Sequence, residues 1–175
     1  ESRIDFKKFI YMQPKLDGVR CLFTKDGAFS RTGKQFMNIQ HIEEELQEFF
    51  KQHPAMVLDG ELYNHDLKDD FEKIISLVRK QKPTDEDRSE ARRLIQYYVY
   101  DYTNTSMSNV VNYRYRLDQL TCSNIYSSSI HYVETKRVKS IKAAKDFHTK
   151  RLAEGYEGSI LRTNTPYKHG RSFGL

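Results

Sequence analysis

Lys15 stands in the run Gln13-Pro14-Lys15-Leu16-Asp17-Gly18-Val19-Arg20, which sets an amine, a carboxylate, a glycine and a guanidinium within six positions. A lysine amine at its usual pKa of about 10.4 is almost wholly protonated near pH 7. To act as a nucleophile it must shed that proton, which takes desolvation or neighbouring positive charge. The pattern K-x-D-G-x-R is short, and an exposed strand-end lysine is the other reading of Lys15. Three further stretches bear on the choice: Leu58-Asp59-Gly60-Glu61-Leu62, Tyr97-Tyr98-Val99-Tyr100-Asp101-Tyr102, and Glu154-Gly155-Tyr156-Glu157-Gly158-Ser159-Ile160-Leu161-Arg162. Along the chain they give amine, carboxylate, aromatic, carboxylate. Each is weak alone, and the ordered set is strong.

The elements that must position these groups follow from the hydrophobic pattern. Phe6 to Gln13 reads as a strand ended by Pro14, which lacks a ladder donor. Val19 to Thr24 and Ala28 to Arg31 flank Asp26-Gly27 as a hairpin. Apolar residues at Ile39, Ile42, Leu46, Phe49 and Phe50 predict a helix, and Met56 to Tyr63 a strand. A second helix is expected over Leu67 to Arg79. The polar run Lys80 to Arg93, which contains Pro83, reads as an exposed loop with at most a helical turn near Ser89 to Arg93. Leu94 to Tyr102 is a buried strand, Tyr113 to Cys122 a helix and Ile130 to Val133 a strand. Ser140 caps a helix that runs to about Glu154 and closes at Gly155, before a last strand from Gly158 to Arg162. Strands and helices mix without regular βαβ alternation, which predicts one α+β domain with antiparallel sheets flanked by helices.

Composition narrows the class. The 175 residues carry 38% hydrophobic side chains and can bury a core without staples. No apolar run approaches the roughly 20 residues that span a bilayer, and the N-terminus carries no signal peptide. Cys21 and Cys122 lie in no metal spacing, so reduced thiols in an intracellular protein are expected. The six histidines form no zinc-binding pair. A net charge of +5 points toward a polyanionic partner.

With these motifs in order, the chain resembles the nucleotidyltransferase domain of ATP-dependent DNA ligases, which belongs with RNA ligases and mRNA capping enzymes to the covalent nucleotidyltransferases. The matching residues are Lys15-x-Asp17-Gly18-x-Arg20, then Ser30-Arg31-Thr32-Gly33, Asp59-Gly60-Glu61, Tyr100-Asp101 and Glu157-Gly158. The resemblance implies an ATP-grasp-like fold over residues 1–175. It implies that Lys15 attacks the α-phosphate of ATP to give lysyl-AMP, that AMP passes to the 5′-phosphate of a nick, and that the 3′-OH then seals the strand. Asp17 resembles the family aspartate of the later steps, its other reading being a turn carboxylate. Tyr100 takes the adenine-stacking place, with Tyr98 as competitor, and the side chain of Gln13 could reach the adenine amino group. Arg20 and Arg31 resemble the arginines that touch the terminal nucleotide and the nick phosphate. Glu61 and Glu157 offer hard oxygen donors for Mg²⁺, and Glu61 also belongs to the nucleotide site. Asp59 reads as structural and Glu154 as solvated, as does the cluster Lys136, Arg137, Lys139, Lys142 and Lys145.

Glu157-Gly158, where capping enzymes have aspartate, favours a ligase, and K-L-D-G-V-R with S-R-T-G favours DNA over RNA. An RNA ligase and a non-catalytic nucleotide- or DNA-binding module of the same fold are the alternatives. The expected partners are ATP and nicked duplex DNA, without a membrane, for a protein that is monomeric. The sequence runs out at Tyr167-Lys168-His169-Gly170-Arg171-Ser172-Phe173-Gly174-Leu175. The family's next lysine motif and its OB-fold domain are expected beyond that point.

Overall fold

A computed structural model describes residues 4–104 and 111–168. The expectations about a leader and about the chain's end concern residues 1–3 and 169–175, outside the described residues. The described elements are strands β1 (Ile10–Lys15), β2 (Val19–Thr24), β3 (Gly27–Phe29), β4 (Met56–Tyr63), β5 (Gln96–Asn104), β6 (Ile130–Tyr132), β7 (Lys136–Val138) and β8 (Gly158–Thr163). Helices α1 (Gln40–Gln52), α2 (Phe71–Val78), α3 (Asp85–Leu94), α4 (Tyr113–Cys122) and α5 (Ile141–Ala153) lie between them.

The strands form two sheets, ordered β7-β1-β8 and β3-β2-β4-β5-β6. All pairings are antiparallel except β5 with β6, which run parallel. The expected antiparallel sheets are present, and the described β5–β6 pair adds one parallel neighbour to them. A parallel neighbour needs a long crossover, and α4 lies in the connection from β5 to β6.

The larger core lies where α1 and α2 pack on the five-stranded sheet. Ile42, Leu46, Phe49 and Phe50 recur at helical spacing on the buried side of α1 and meet Phe23, Leu58, Leu62 and Ile74. A smaller core of Ile10, Met12, Val138 and Phe147 ties α5 to β1 and β7.

Several boundaries differ from those the sequence predicts. β1 runs through Pro14, because β7 pairs only with Ile10 to Met12 and leaves that side of the strand an edge where no donor is required. The second helix starts late, at Phe71, capped by the Asp70 side chain; a separate 3₁₀ turn fills His65–Leu67. The Lys80 to Arg93 stretch holds a full helix rather than a loop. Thr84 and Asp87 form a capping box, and α3 has acidic residues in its first turn and Arg92 and Arg93 in its last, which suits the helix dipole.

Candidate functional site

The end of β1 and the start of β8 create the centre of the site. Their antiparallel register sets Lys15 opposite Gly158, so Glu157, just before β8, reaches the Lys15 ammonium and forms an ion pair with it. Both side chains remain half exposed. Leu16, Asp17 and Gly18 then carry the chain from the small sheet to the large one. Gly18 lies so close to β4 that an added Cβ would stand 2.5 Å from the Leu62 carbonyl oxygen and 2.8 Å from Glu61 Cγ. That approach brings Lys15 and Asp17 near Glu61.

Successive β4 side chains alternate in direction, so Asp59 and Glu61 share the face opposite the core. Arg20 pairs with Glu61 in register, and its guanidinium grips Asp59 with two hydrogen bonds of 2.9 and 2.7 Å. Tyr167 adds a hydroxyl donated to Asp59 at 2.7 Å. Asp59 is thus an anchor for Arg20. Burial pushes the Glu61 carboxyl up to about 8; Asp59 and Asp17 push the same way, while Arg20 and Lys15 oppose them.

Glu61 and Glu157 are the two carboxylates beside Lys15 that could hold a hard divalent cation. Both are hard oxygen donors, and a divalent cation would favour the ionised form of a carboxyl that burial disfavours. Among the described residues no group of three His, Cys, Asp or Glu side chains is arranged to hold a metal ion.

Tyr100 and Gln13 belong to a second, tightly bonded group. A bulge in the β4–β5 pairing lets Asp59 face Asp101 and Gly60 face Val99, leaving Tyr100 as the extra residue between them. Burial, then the Asp59 and Glu61 carboxylates, push the Tyr100 hydroxyl well above its ordinary range. The Arg162 guanidinium stands 4.7 Å from the Tyr100 ring centre. Tyr98, the competing aromatic, packs instead against Tyr63 and His131, with its hydroxyl donated to Gln96.

Gln13 is buried, and its amide nitrogen donates to Tyr113 Oη (2.9 Å) and Thr135 Oγ1 (2.7 Å). Its Oε1 accepts from Arg162 Nε at 2.5 Å. Both amide hydrogens are therefore engaged within the protein, and among the described residues one lone pair of Oε1 is left over. Arg162, Tyr113, Thr135 and Tyr167 were not singled out from the sequence. Arg162 ends the Glu157 motif and was in view there. The other three gave no local signal, since Thr135 and Tyr113 lie 122 and 100 residues from Gln13.

Arg31 is not drawn into the Lys15 cluster. It sits exposed on the turn after β3 and shares the wall of a neighbouring cleft with Arg20. Glu154 ion-pairs with Arg151 at 3.0 Å, apart from the site. Within the expected solvated cluster, Lys142 pairs with Asp146, and the Arg137 guanidinium lies 3.9 Å from the Phe9 ring centre. Among the described residues no helix is long and apolar enough to cross a membrane.

Comparison with known proteins places this geometry in a family. The model of the ATP dependent DNA ligase domain matches residues 4–174. The DNA ligase of African swine fever virus (strain Badajoz 1971 Vero-adapted) is 31% identical over 172 residues, covering 91% of this chain and 38% of the relative. The chain thus spans well under half the length of that relative. Among solved structures, the Chlorella virus DNA ligase-adenylate superposes with a TM-score of 0.72 at 20% identity, covering 98% of this chain and 61% of that one. The ATP-dependent DNA ligase from bacteriophage T7 in complex with ATP gives 0.71 at 17% identity, covering 94% and 60%.

Proposed function

Because the chain belongs to the ATP-dependent DNA ligase domain family, we propose that it is the adenylation unit of a DNA-joining enzyme, with Lys15 as the covalent carrier of AMP. The observation that carries this reading is the convergence of Lys15 with Glu157, Glu61 and Asp17, which the β1–β8 register and the close approach of Gly18 to β4 bring about. With its proton given up to solvent and its ion pair with Glu157 released, Lys15 Nζ attacks the α-phosphorus of ATP. A nitrogen–phosphorus bond forms, the bond to the bridging oxygen breaks, and pyrophosphate leaves. AMP then passes to the 5′-phosphate of a nick, and the 3′-OH displaces it to close the phosphodiester.

The chain's own groups divide the work. Tyr100 offers its ring to the adenine, and Gln13 Oε1 accepts from the amino group. Asp59 keeps the Arg20 fork fixed for a phosphate or sugar oxygen, and Arg31 meets the nick phosphate. Asp17, beside Glu61, serves the later steps at the nick. Glu61 and Glu157 would hold Mg²⁺, which when bound neutralises charge on the phosphates. The reading expects a monomer in an intracellular compartment, with a lysine-bearing motif and an OB-fold domain supplied by other parts of the protein.

The test uses full-length protein with α-labelled ATP and Mg²⁺. Label should remain on the protein through denaturing gels, vanish in Lys15→Ala, and move to nicked duplex DNA in a chase. Wild-type protein that acquires no label would refute the reading. Label that moves to nicked RNA but not to nicked DNA would make the protein an RNA ligase.

A further inference from the structure

The flank of β2 carries a second feature beside the Lys15 cluster. After β3 the chain turns back on itself. Gly33 N donates to Ser30 O at 2.9 Å, Ser30 N to Lys34 O at 2.8 Å, and Lys34 N to Ser30 Oγ at 3.0 Å. Gly33 takes the left-handed φ of +82° that this turn requires. Phe36, buried in the large core, anchors the returning strand. The turn so fixed holds Arg31 and Lys34 out in solvent.

Arg79 reaches the same place from a different element. It closes α2, its backbone N–H bonded to Ile75 O, and Gln81 just after it donates to Gln35 O at 3.4 Å. Arg31, Lys34 and Arg79 together line a cleft of about 390 Å³ that opens beside Gly18 and Arg20. Among the described residues, none that lines it is acidic. Among the described residues these three side chains enter no ion pair. Nearby cations behave differently: Lys73, Lys80 and Arg92 are each matched to a carboxylate.

Like charges gathered in one concave wall repel, and here a bonded turn and a helix end hold them in place. Such a wall is preorganised for an anion. The guanidinium forks of Arg31 and Arg79 fit phosphate oxygens in pairs, and the Thr32 hydroxyl beside them can donate a further bond. The cleft lies one short loop from Lys15, so a phosphate in it sits next to the reacting centre and outside it.

We propose that Arg79 and Lys34 bind a backbone phosphodiester of the nucleic acid next to the end being joined, extending the site beyond Arg20 and Arg31. The inference rests on the DNA-joining reading above. A phosphate in this cleft has two possible sources, the nucleic acid or the ATP triphosphate, and the experiment separates them.

Binding of nicked duplex DNA by the full-length protein is followed by fluorescence anisotropy across a KCl series, beside the ATP dependence of Lys15 labelling. Arg79→Gln and Lys34→Gln should each reduce the steepness of log K against log salt by about 0.9, the value of one phosphate contact. Arg79→Lys should keep the slope, and Lys51→Gln, on α1 away from the cleft, should leave it unchanged. The KM for ATP should stay constant throughout. Unaltered slopes in both glutamine variants overturn the proposal. So does a raised KM for ATP with unaltered slopes, which would put the triphosphate in the cleft. A protein that labels Lys15 but binds no DNA also overturns it, while leaving adenylation intact. Slope losses in a protein that never labels Lys15 would support the cleft and refute the adenylation reading.

Discussion

Asp59 and Asp101 lie directly opposite one another on β4 and β5, and both are buried. Facing carboxylates destabilise a sheet unless each is neutralised. Asp59 is held by Arg20 from β2, and Asp101 by Arg116 from α4 at 2.7 and 3.1 Å, with Arg162 from β8 a further partner at 3.5 Å. The pairs differ in solvent access: the Arg116 side chain is 6% exposed and that of Arg20 is 31%. Arg116 also donates to the carbonyls of Val111 and Thr165, so it ties α4 to the segment that follows β8.

Asp101→Asn should therefore destabilise the protein by about 3–5 kcal/mol, because it strands the Arg116 charge in the interior. Asp59→Asn should cost less, about 1–2 kcal/mol, because water can reach the released Arg20. Urea unfolding of both variants checks the order. A greater loss in Asp59→Asn would contradict this view of the two pairs.

Gly18→Ala should reduce Lys15 labelling with little loss of fold. The new methyl group would meet the Leu62 carbonyl oxygen, which belongs to the β4 backbone and cannot move aside. The loop must then lift from β4, carrying Lys15 away from Glu61. A shift of about 1 Å at a reacting group can cost about 100-fold in rate. Single-turnover labelling with α-labelled ATP measures the effect, and a wild-type rate would show that the loop does not set the lysine's position.

The legible part of this protein was the part written locally. The spacing of Ile42, Leu46, Phe49 and Phe50 announces α1, and the order Lys15, Glu61, Tyr100, Glu157 marks the candidate site. Helix α3 was hidden because Ala91 is its one buried residue, so hydrophobic periodicity had almost nothing to register. Its evidence was the Thr84-x-x-Asp87 cap, a polar signal inside a charged run. β7 was hidden for a related reason, since Val138 alone of its three residues is buried. The partners of Gln13 come from three separate segments of the chain. No local pattern encodes them, because their meeting depends on how the small sheet packs on β5 and α4.

His65→Ala should raise the Mg²⁺ concentration needed for half-maximal labelling. His65 Nε2 donates to the Glu154 carbonyl at 3.0 Å, and its Nδ1 accepts from the Tyr63 hydroxyl at 2.8 Å. Its ring packs on Tyr156, 4.4 Å between centres. The segment after Glu61 thus grips the segment before Glu157, setting the two carboxylates relative to each other. His65→Gln, which can keep one of the two bonds, should fall between wild type and alanine. An unchanged Mg²⁺ dependence in the alanine variant, with lower stability alone, would reduce His65 to a structural role.

His41 should make the protein lose stability as the pH falls below about 6.5. It is buried between α1 and β5, its Nε2 donating to the Ile95 carbonyl at 2.9 Å. Burial lowers its pKa and nearby Arg92 adds to that, against the Ile95 bond and the Glu45 and Glu44 carboxylates. In the unfolded chain the imidazole takes up a proton near pH 6.5, whereas in the folded protein it does so only at lower pH. The unfolded state then binds more protons, so stability present above about pH 6.5 drains away down to the folded pKa. His41→Gln can keep the donated bond without titrating. Between about pH 7.5 and 5.5, wild type should therefore lose more stability than the variant, by about 1.4 kcal/mol for each unit of pKa shift. Urea midpoints across that range test it, and parallel curves for the two proteins would show that His41 titrates alike in both states.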